Sequence, residues 1–206
     1  MSIANGYATL ADYKQYVSTR GMAGVVGADA SDDAAIEMLI ESASRYIDAE
    51  TGRRFYKDAN DVVYYFTSQS PRVCYLPDFA SITSVEVDYS GVRSYTALTS
   101  ADYDVVPYNY AADGLPITAI VVSPLSSYGY FPTCERGIKI TGKRGWDSVP
   151  TDIKHACLEI AQNIYASRSG QTSAGRVNIT SAGVVVKPED VPHYAAAIIA
   201  MYRMIV

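Results

Sequence analysis

The sequence is poor in the residues that most often perform chemistry in enzymes. It has only two histidines, His155 and His193, and neither is accompanied by a nucleophile, an orienting acid or a set of metal ligands at a recognisable spacing. Several acidic residues have structural explanations, because they fall at a helix start or in a turn-like stretch: Asp32, Asp33, Asp58 and Asp61. We therefore predict that the protein is not an enzyme and has no cofactor or metal site.

Cysteines are also few, and their arrangement argues against a disulfide framework. Cys74, Cys134 and Cys157 are an odd number and include no CxxC spacing. Cys157 falls on the apolar side of a predicted helix. A reducing environment fits this pattern best.

The sequence lacks both a surplus of positive charge and a long hydrophobic run. It has 17 basic and 22 acidic residues, a net charge of -5, so sequence-independent binding to duplex DNA is disfavoured. No apolar run approaches the ~20 residues that a membrane helix requires, and the first residues lack a hydrophobic signal core. We expect a protein that is made and used inside a cell, away from membranes.

Tyrosine, in contrast, is abundant. There are 18 tyrosines against 4 phenylalanines and 1 tryptophan. A tyrosine ring can pack while its hydroxyl remains in water, so this balance is typical of half-buried contact surfaces. It indicates protein interfaces more than an enclosed cavity.

Helix signals stand at the beginning of the sequence. Thr9 and Asp12 form a variant of the capping box, which predicts a helix from Leu10 to about Val17. The glycine-containing stretch 18–30 is predicted to be a mobile loop. Beyond it, Asp32 and Asp33 are suited to capping a helix that ends at Gly52, whose apolar residues recur at steps of three and four: Ile36, Leu39, Ile40, Ala43 and Ile47.

The middle of the sequence has the pattern of β-strands. Alternating or short continuous apolar runs predict strands at 62–66, 73–76, 82–89, 103–106, 117–122 and 137–141, separated by turn signals. An antiparallel sheet or a small sandwich accounts for them. Trp146, after Gly145, is predicted to be a core residue whose N–H finds a carbonyl.

Helical patterns return after residue 146. Pro150 suits the first turn of a helix that ends near Ser167. Residues 169–176 are predicted to be flexible, and valines 184–186 to add a strand. A last helix is predicted from residue 193 to 206, with an apolar stripe formed by Tyr194, Ile198, Ile199, Tyr202, Ile205 and Val206. That stripe is either core or a partner-binding surface.

The order of these elements predicts an α+β fold. We expect a bundle of N- and C-terminal helices with an inserted antiparallel β-sheet or small sandwich. The predicted parts are an N-terminal helical part at 1–56, a β-rich insertion at 57–145 and C-terminal helices at 146–206, together forming one compact unit.

Four stretches resemble the head-tail connector (adaptor, head completion) family of long-tailed bacteriophages, in its longer form with a β insertion. They are YATLADYKQYV at 7–17, DDAAIEMLIESASRYIDAETGRRFY at 32–56, GIKITGKRGWDSVPTDIKHACLEIAQNIYASR at 137–168 and AMYRMIV at 200–206. Family members often have a proline where Met201 stands, and the β region matches only loosely.

The resemblance implies a structural subunit of the virion neck. Such a protein forms a ring, expected to be dodecameric, under the portal protein; the ring extends the DNA channel and provides the attachment site for a stopper or tail-completion protein. It would be assembled in the bacterial cytoplasm and touch packaged DNA only transiently. In this family the last segment docks into the portal, which here implies Tyr202, Arg203, Met204, Ile205 and Val206.

Two other groups of residues are candidates for contacts. Subunit-interface candidates follow the second helix: Arg53, Arg54, Phe55 and Tyr56. A basic patch at Lys139, Lys143 and Arg144, near Arg136, is a candidate for contact with DNA or an acidic partner, although a solvated turn explains it as well. The alternative function is a tyrosine-rich β module that recognises carbohydrate or a host surface.

Overall fold

The structure, a computed structural model, describes residues 3–19, 32–168 and 191–204. In chain order its elements are α1 (Leu10–Thr19), α2 (Asp33–Thr51), β1 (Val62–Phe66), β2 (Val73–Val87), β3 (Thr96–Ala97), β4 (Tyr103–Val106), α3 (Tyr110–Asp113), β5 (Ile117–Val122), β6 (Ile138–Arg144), α4 (Thr151–Arg168) and α5 (His193–Tyr202). The predicted α+β class is confirmed. The chain divides into two compact units, a helical unit of residues 1–52 and 149–206 and a β unit of residues 53–148.

Helix α1 begins at the predicted capping box. The Thr9 N–H and hydroxyl both donate to Asp12 Oδ2, at 2.9 and 2.7 Å, and the Asp12 N–H donates to Thr9 Oγ1 at 3.1 Å. These bonds satisfy groups that a helix start would otherwise expose. The helix continues two residues beyond the predicted Val17, so Ser18 and Thr19 belong to α1 and not to the predicted mobile loop.

Helix α2 buries the predicted apolar stripe and ends where expected. Ile36, Ile40 and Ile47 are fully buried, and Gly52 closes the helix at φ +67°, with its N–H donating to Asp48 O. The capping role predicted for Asp32 is wrong, because its side chain makes no cap hydrogen bond. It accepts a hydrogen bond from the Tyr165 hydroxyl instead, at 3.0 Å.

Helices α4 and α5 complete the helical unit. Helix α4 packs on α1, α2 and α5, and Cys157 is fully buried, as predicted. Helix α5 ends at Tyr202, where the predicted helix continued to residue 206. The apolar pattern continues beyond Tyr202, but Arg203 has ψ 128° and the Met204 N–H donates to Thr51 O at 2.8 Å.

The β unit is built on one antiparallel sheet and not on a sandwich. Its strand order is β1-β6-β2-β5-β4, with β3 paired to one end of β2. Strand β2 joins the two segments predicted at 73–76 and 82–89 and ends at Val87, two residues before the predicted end, with irregular register around Phe79. Strand β3 and the four-residue helix α3 were not predicted. The apolar core of this unit includes Phe79, Ile120, Phe131 and Ile138.

Three sequence predictions fall on residues outside the described ranges. They are the remainder of the 18–30 loop from residue 20, the flexible segment 169–176 and the strand at 184–186.

Candidate assembly surfaces

Helix α5 is apolar on both of its faces. Ala195, Ile198 and Ile199 are buried in the helical unit. Tyr194 and Met201, on the other face, are 57% and 80% exposed, and no acidic or basic residue lies between them. A globular helix normally turns charged or polar residues toward water. We call the exposed face, Tyr194, Ala197 and Met201, the α5 outer surface; its composition is that of a surface buried by a partner.

The residues after α5 lie against the end of α2. The Arg203 guanidinium forms an ion pair with Glu50 at 2.8 Å and also donates to Glu50 O, and Met204 bonds Thr51 through the backbone. Tyr202 is half-buried, and burial followed by the charge of Asp152 raises its pKa. The first three predicted docking residues are thus held beside the α5 outer surface, while Ile205 and Val206 lie outside the described residues.

The predicted interface group at 53–56 has mostly internal contacts. Arg53 pairs with Asp78 at 2.7 Å, and Arg54 pairs with Asp58 at 2.8 Å. Phe55 is fully buried and its ring lies 5.4 Å from that of Trp146. The side chain of Phe55 is therefore buried within the subunit. All four residues stay predictions as interface residues.

The basic patch lies on strand β6 and not in a turn. Its outer-face residue Lys139 pairs with Glu86 at 2.9 Å, and this salt bridge raises the pKa of the lysine. Arg136 lies over the ring of Tyr65, 4.3 Å from the centroid.

The other two members of the patch are Lys143 and Arg144. Lys143 is half-buried and lies on the same face of β6 as Lys139. The Arg144 guanidinium lies over the ring of Tyr64, 5.2 Å from the centroid, and the backbone N–H of Arg144 donates to Asp58 Oδ2. Because Glu86 offsets the charge of Lys139, the patch is weaker than the sequence suggests; contact with DNA stays a prediction.

Three tyrosines form an aromatic cluster at the surface of the β unit that was not predicted from the sequence. The rings of Tyr89 and Tyr128 stack at 5.6 Å, and Tyr130 meets Tyr89 edge-on at 5.2 Å. Burial, with the nearby tyrosines, raises the pKa of Tyr89 to about 12. Since the face of Tyr89 stacks on Tyr128, that face is not open to a sugar ring. The tight spacing of tyrosines 128 and 130 was the only signal in the sequence.

The two histidines lie in different surroundings. His155 is half-buried, with its ring edge-on to those of Tyr16 and Tyr194, at 5.6 and 5.5 Å. His193 is exposed at the start of α5. Within the described ranges, no group of three or more potential metal ligands comes together, and no helix there is long and apolar enough to cross a membrane.

The fold and these surfaces define an α+β protein whose most prominent surface features are apolar and aromatic. The family model described as "Head completion protein" matches residues 8–205. The chain therefore belongs to the head completion protein family, which confirms the predicted resemblance.

Two solved structures show the same fold. The chain is similar to one from the "Neck of empty GTA particle computed with C6 symmetry", at 15% identity and TM-score 0.54, covering 100% of this chain and 94% of that one. It is also similar to one from the "Neck of native GTA particle computed with C12 symmetry", at 17% identity and TM-score 0.52, covering 100% and 93%. A search of curated proteins finds no match.

Proposed function

We propose that this protein is a head-tail connector: a structural adaptor that forms a ring under the portal protein in the neck of a tailed phage or phage-like particle. The ring extends the DNA channel and provides the attachment site for a stopper or tail-completion protein. Family membership over residues 8–205 supports the role, and the neck particles that contain proteins of the same fold were computed with sixfold and twelvefold symmetry. A dodecameric ring agrees with both symmetries.

The observation that carries the proposal is the α5 outer surface. Met201 and Tyr194 expose more than half of their side chains on a helix without a charged residue. Burying apolar surface against a partner contributes about 25 cal/mol per Å2. We assign this surface, with the adjoining segment from Tyr202 to Val206, to docking on the portal. The function is then geometric and requires no catalytic group, cofactor or metal.

The β unit occupies the middle of the chain and offers different contacts. The aromatic cluster of Tyr89, Tyr128 and Tyr130 is suited to a protein neighbour, because tyrosine is enriched in the cores of protein interfaces. We place the stopper or tail-completion protein against this unit. Lys143 and the neighbouring basic residues would meet packaged DNA only in passing.

A charge placed on the α5 outer surface tests the docking assignment. Met201→Lys puts an ammonium group on the surface near the helix end, where positive charge is compatible with the helix dipole, so folding is preserved. Leu125→Lys is the matched control, because Leu125 is 84% exposed but lies in the β unit. Each variant is co-expressed with the portal protein of the same particle, and the portal is purified and imaged by electron microscopy.

We expect the wild-type protein and Leu125→Lys to copurify with the portal as a ring, and Met201→Lys to be lost from it at least tenfold. Deletion of residues 202–206 is expected to have the same effect in a folded protein. Normal copurification of Met201→Lys would overturn the docking assignment. If the wild-type protein does not bind the portal and is absent from particle necks, the connector function itself is refuted.

A further inference from the structure

Strand β1 is an exposed edge without the features that usually protect one. Within the described residues it pairs with β6 alone. Its sequence, VVYYF, has no charge, proline or glycine, and Val62, Val63 and Tyr65 are each more than 40% exposed. Soluble proteins normally place lysine, proline or a bulge on such an edge, because an open edge recruits another strand. This edge is therefore suited to receive one.

The hydrogen-bond register shows which backbone groups are open. The Asp88 N–H donates to Gly137 O, so the backbone groups of Gly137 point toward β2. Because the backbone groups of successive strand residues point to opposite sides, the odd-numbered residues of β6 bond to β2 and the even-numbered ones to β1. Ile138, Ile140 and Gly142 face Phe66, Tyr64 and Val62 in the β1 ladder. The N–H and C=O groups of Val63 and Tyr65 consequently point away from the sheet.

Among the described strands, β4 ends the sheet on the opposite side. The Ser123 N–H donates to Asp102 O, and Asp104 and Val106 stand opposite Val121 and Ala119. By the same alternation, the backbone groups of Tyr103 and Val105 point away from β5. Each end of the sheet thus has two residues whose backbone groups have no strand partner among the described residues.

The directions of these two strands are the same. Each step along the order β1-β6-β2-β5-β4 is antiparallel, so four steps return β4 to the direction of β1. A rotation about a ring axis therefore brings β4 of one copy beside β1 of the next as a parallel pair. This is a contact between two different patches, the kind that closes rings, whereas pairing β1 with β1 would give only a twofold dimer.

We infer that the β1 edge of one copy pairs in parallel with the β4 edge of a neighbouring copy, so that the sheet continues from subunit to subunit. The inference rests on the ring of the proposed function and adds its interface. The occupant is a second copy, because one chain supplies both open edges, in the same direction and with two outward-bonding residues each.

Side-chain faces fix the register of this pairing. The same core is contacted by two residues of each strand: Tyr64 and Phe66 of β1, and Tyr103 and Val105 of β4. Because side chains alternate along a strand, Val63 and Asp104 both lie on the opposite face of the sheet. With these two opposite each other, the Val63 N–H donates to Tyr103 O of the neighbour, and the neighbour's Val105 N–H donates to Val63 O. Pro107, which has no N–H, ends the pairing.

A disulfide across the two edges tests the inference. Adjacent strands lie about 4.8 Å apart, within the Cα separation that a disulfide accepts, so Val63→Cys combined with Asp104→Cys should link each copy to the next. The matched control combines Val63→Cys with Thr96→Cys, which places the second thiol on the exposed strand β3. Portal-bound rings and the purified protein at high concentration are both oxidised and run on non-reducing gels.

With Cys134→Ser in every variant, so that no accessible native thiol remains, we expect a ladder of covalent multimers for the Val63 and Asp104 pair and none for the control pair or for either single variant. Rings of normal appearance that give no ladder would overturn the edge pairing and leave the connector function intact. An equal ladder from the control pair would also overturn it, because the thiols would then meet without a fixed register. If the wild-type protein never binds a portal, the connector function is refuted. In that case the purified protein still tests the edge pairing, and absence of the ladder there would overturn it.

Discussion

The indole N–H of Trp146 donates to Asp78 Oδ2 at 2.9 Å, and both residues are buried. The other oxygen of the same carboxylate accepts from Arg53 at 2.7 Å. The sequence predicts a carbonyl acceptor for the indole N–H, whereas the acceptor in the structure is a carboxylate that also pairs with an arginine. Asp78 thus satisfies two donors that precede and follow the whole sheet.

Replacing Asp78 should therefore be costly. Asp78→Leu leaves the Trp146 N–H and the Arg53 charge without their acceptor, and breaking such a pair costs about 3 kcal/mol. Urea unfolding monitored by tryptophan fluorescence measures the loss. The control is Asp61→Asn, at an exposed carboxylate that accepts from the Thr83 hydroxyl, which should change stability by less than about 0.5 kcal/mol. Equal stability of Asp78→Leu and wild type would contradict this account.

Gly145 should not tolerate a side chain. It has φ +104°, and a β-carbon there would lie 1.9 Å from Tyr56 O. We expect Gly145→Ala to destabilise the protein by about 3 kcal/mol or to prevent folding, because backbone strain and a clash with main chain combine. Gly91→Ala is the matched control: its φ is +73° but nothing lies within 4 Å. Thermal unfolding should show a smaller loss of stability, about 1 kcal/mol, for Gly91→Ala. A similar loss of stability in both variants would refute the steric explanation.

Asp58 should make stability depend on acid pH. Burial alone would raise the pKa of this carboxyl, but bonds from Tyr64, the Arg144 N–H and Arg54 outweigh burial and lower it. Because the folded pKa is the lower one, the stabilising contribution is complete at neutral pH. It is lost as the pH falls below the unfolded value of about 3.9 toward the folded value.

The comparison with Asp58→Asn tests this dependence. The wild type should be more stable than Asp58→Asn at pH 7, and the difference should shrink below pH 4 in denaturant titrations at each pH. A difference that stays constant down to pH 2 would show that the carboxylate charge plays no part.

The three cysteines should differ in reactivity. Burial raises the pKa of the Cys74 thiol to about 12 and that of Cys157 to about 11, so neither forms the reactive thiolate near neutral pH. Cys134 is only partly buried. Titration of the native protein with a thiol reagent at pH 8 should modify Cys134 first and, in denaturant, all three. Cys134→Ser should abolish the rapid phase; if it persists, one of the buried thiols is accessible.

The elements that the sequence predicted well are those whose pattern is local. Helix α2 combines a repeating apolar stripe with a terminal glycine, and the Thr9 and Asp12 box marks α1 directly. Strand β2 was split in two because Pro77 interrupts the pattern, and only the pairing with β5 and β6 on its two sides shows that the strand continues. The two-residue strand β3 has too few residues to show any pattern.

The contact surfaces were harder to predict because exposure depends on the whole fold. The sequence indicated that the residues around α5 are apolar, but only the packing of Ile198 and Ile199 leaves Met201 outside. Phe55 adjoins two arginines in the sequence, yet packing against Trp146 places it inside. The open edges of β1 and β4 follow from strand order, which no local pattern encodes.

The helical unit is assembled from the two sides of a long insertion, and this has a consequence for synthesis on the ribosome. Helices α1 and α2 emerge first. Helix α4, whose Cys157 contacts Ile40 of α2, is translated only after residues 53–148. The β unit is continuous in sequence and has all its strands available by then. We expect it to fold while the first two helices still expose their apolar stripes, so the nascent chain, rather than the finished subunit, is the form most in need of chaperones.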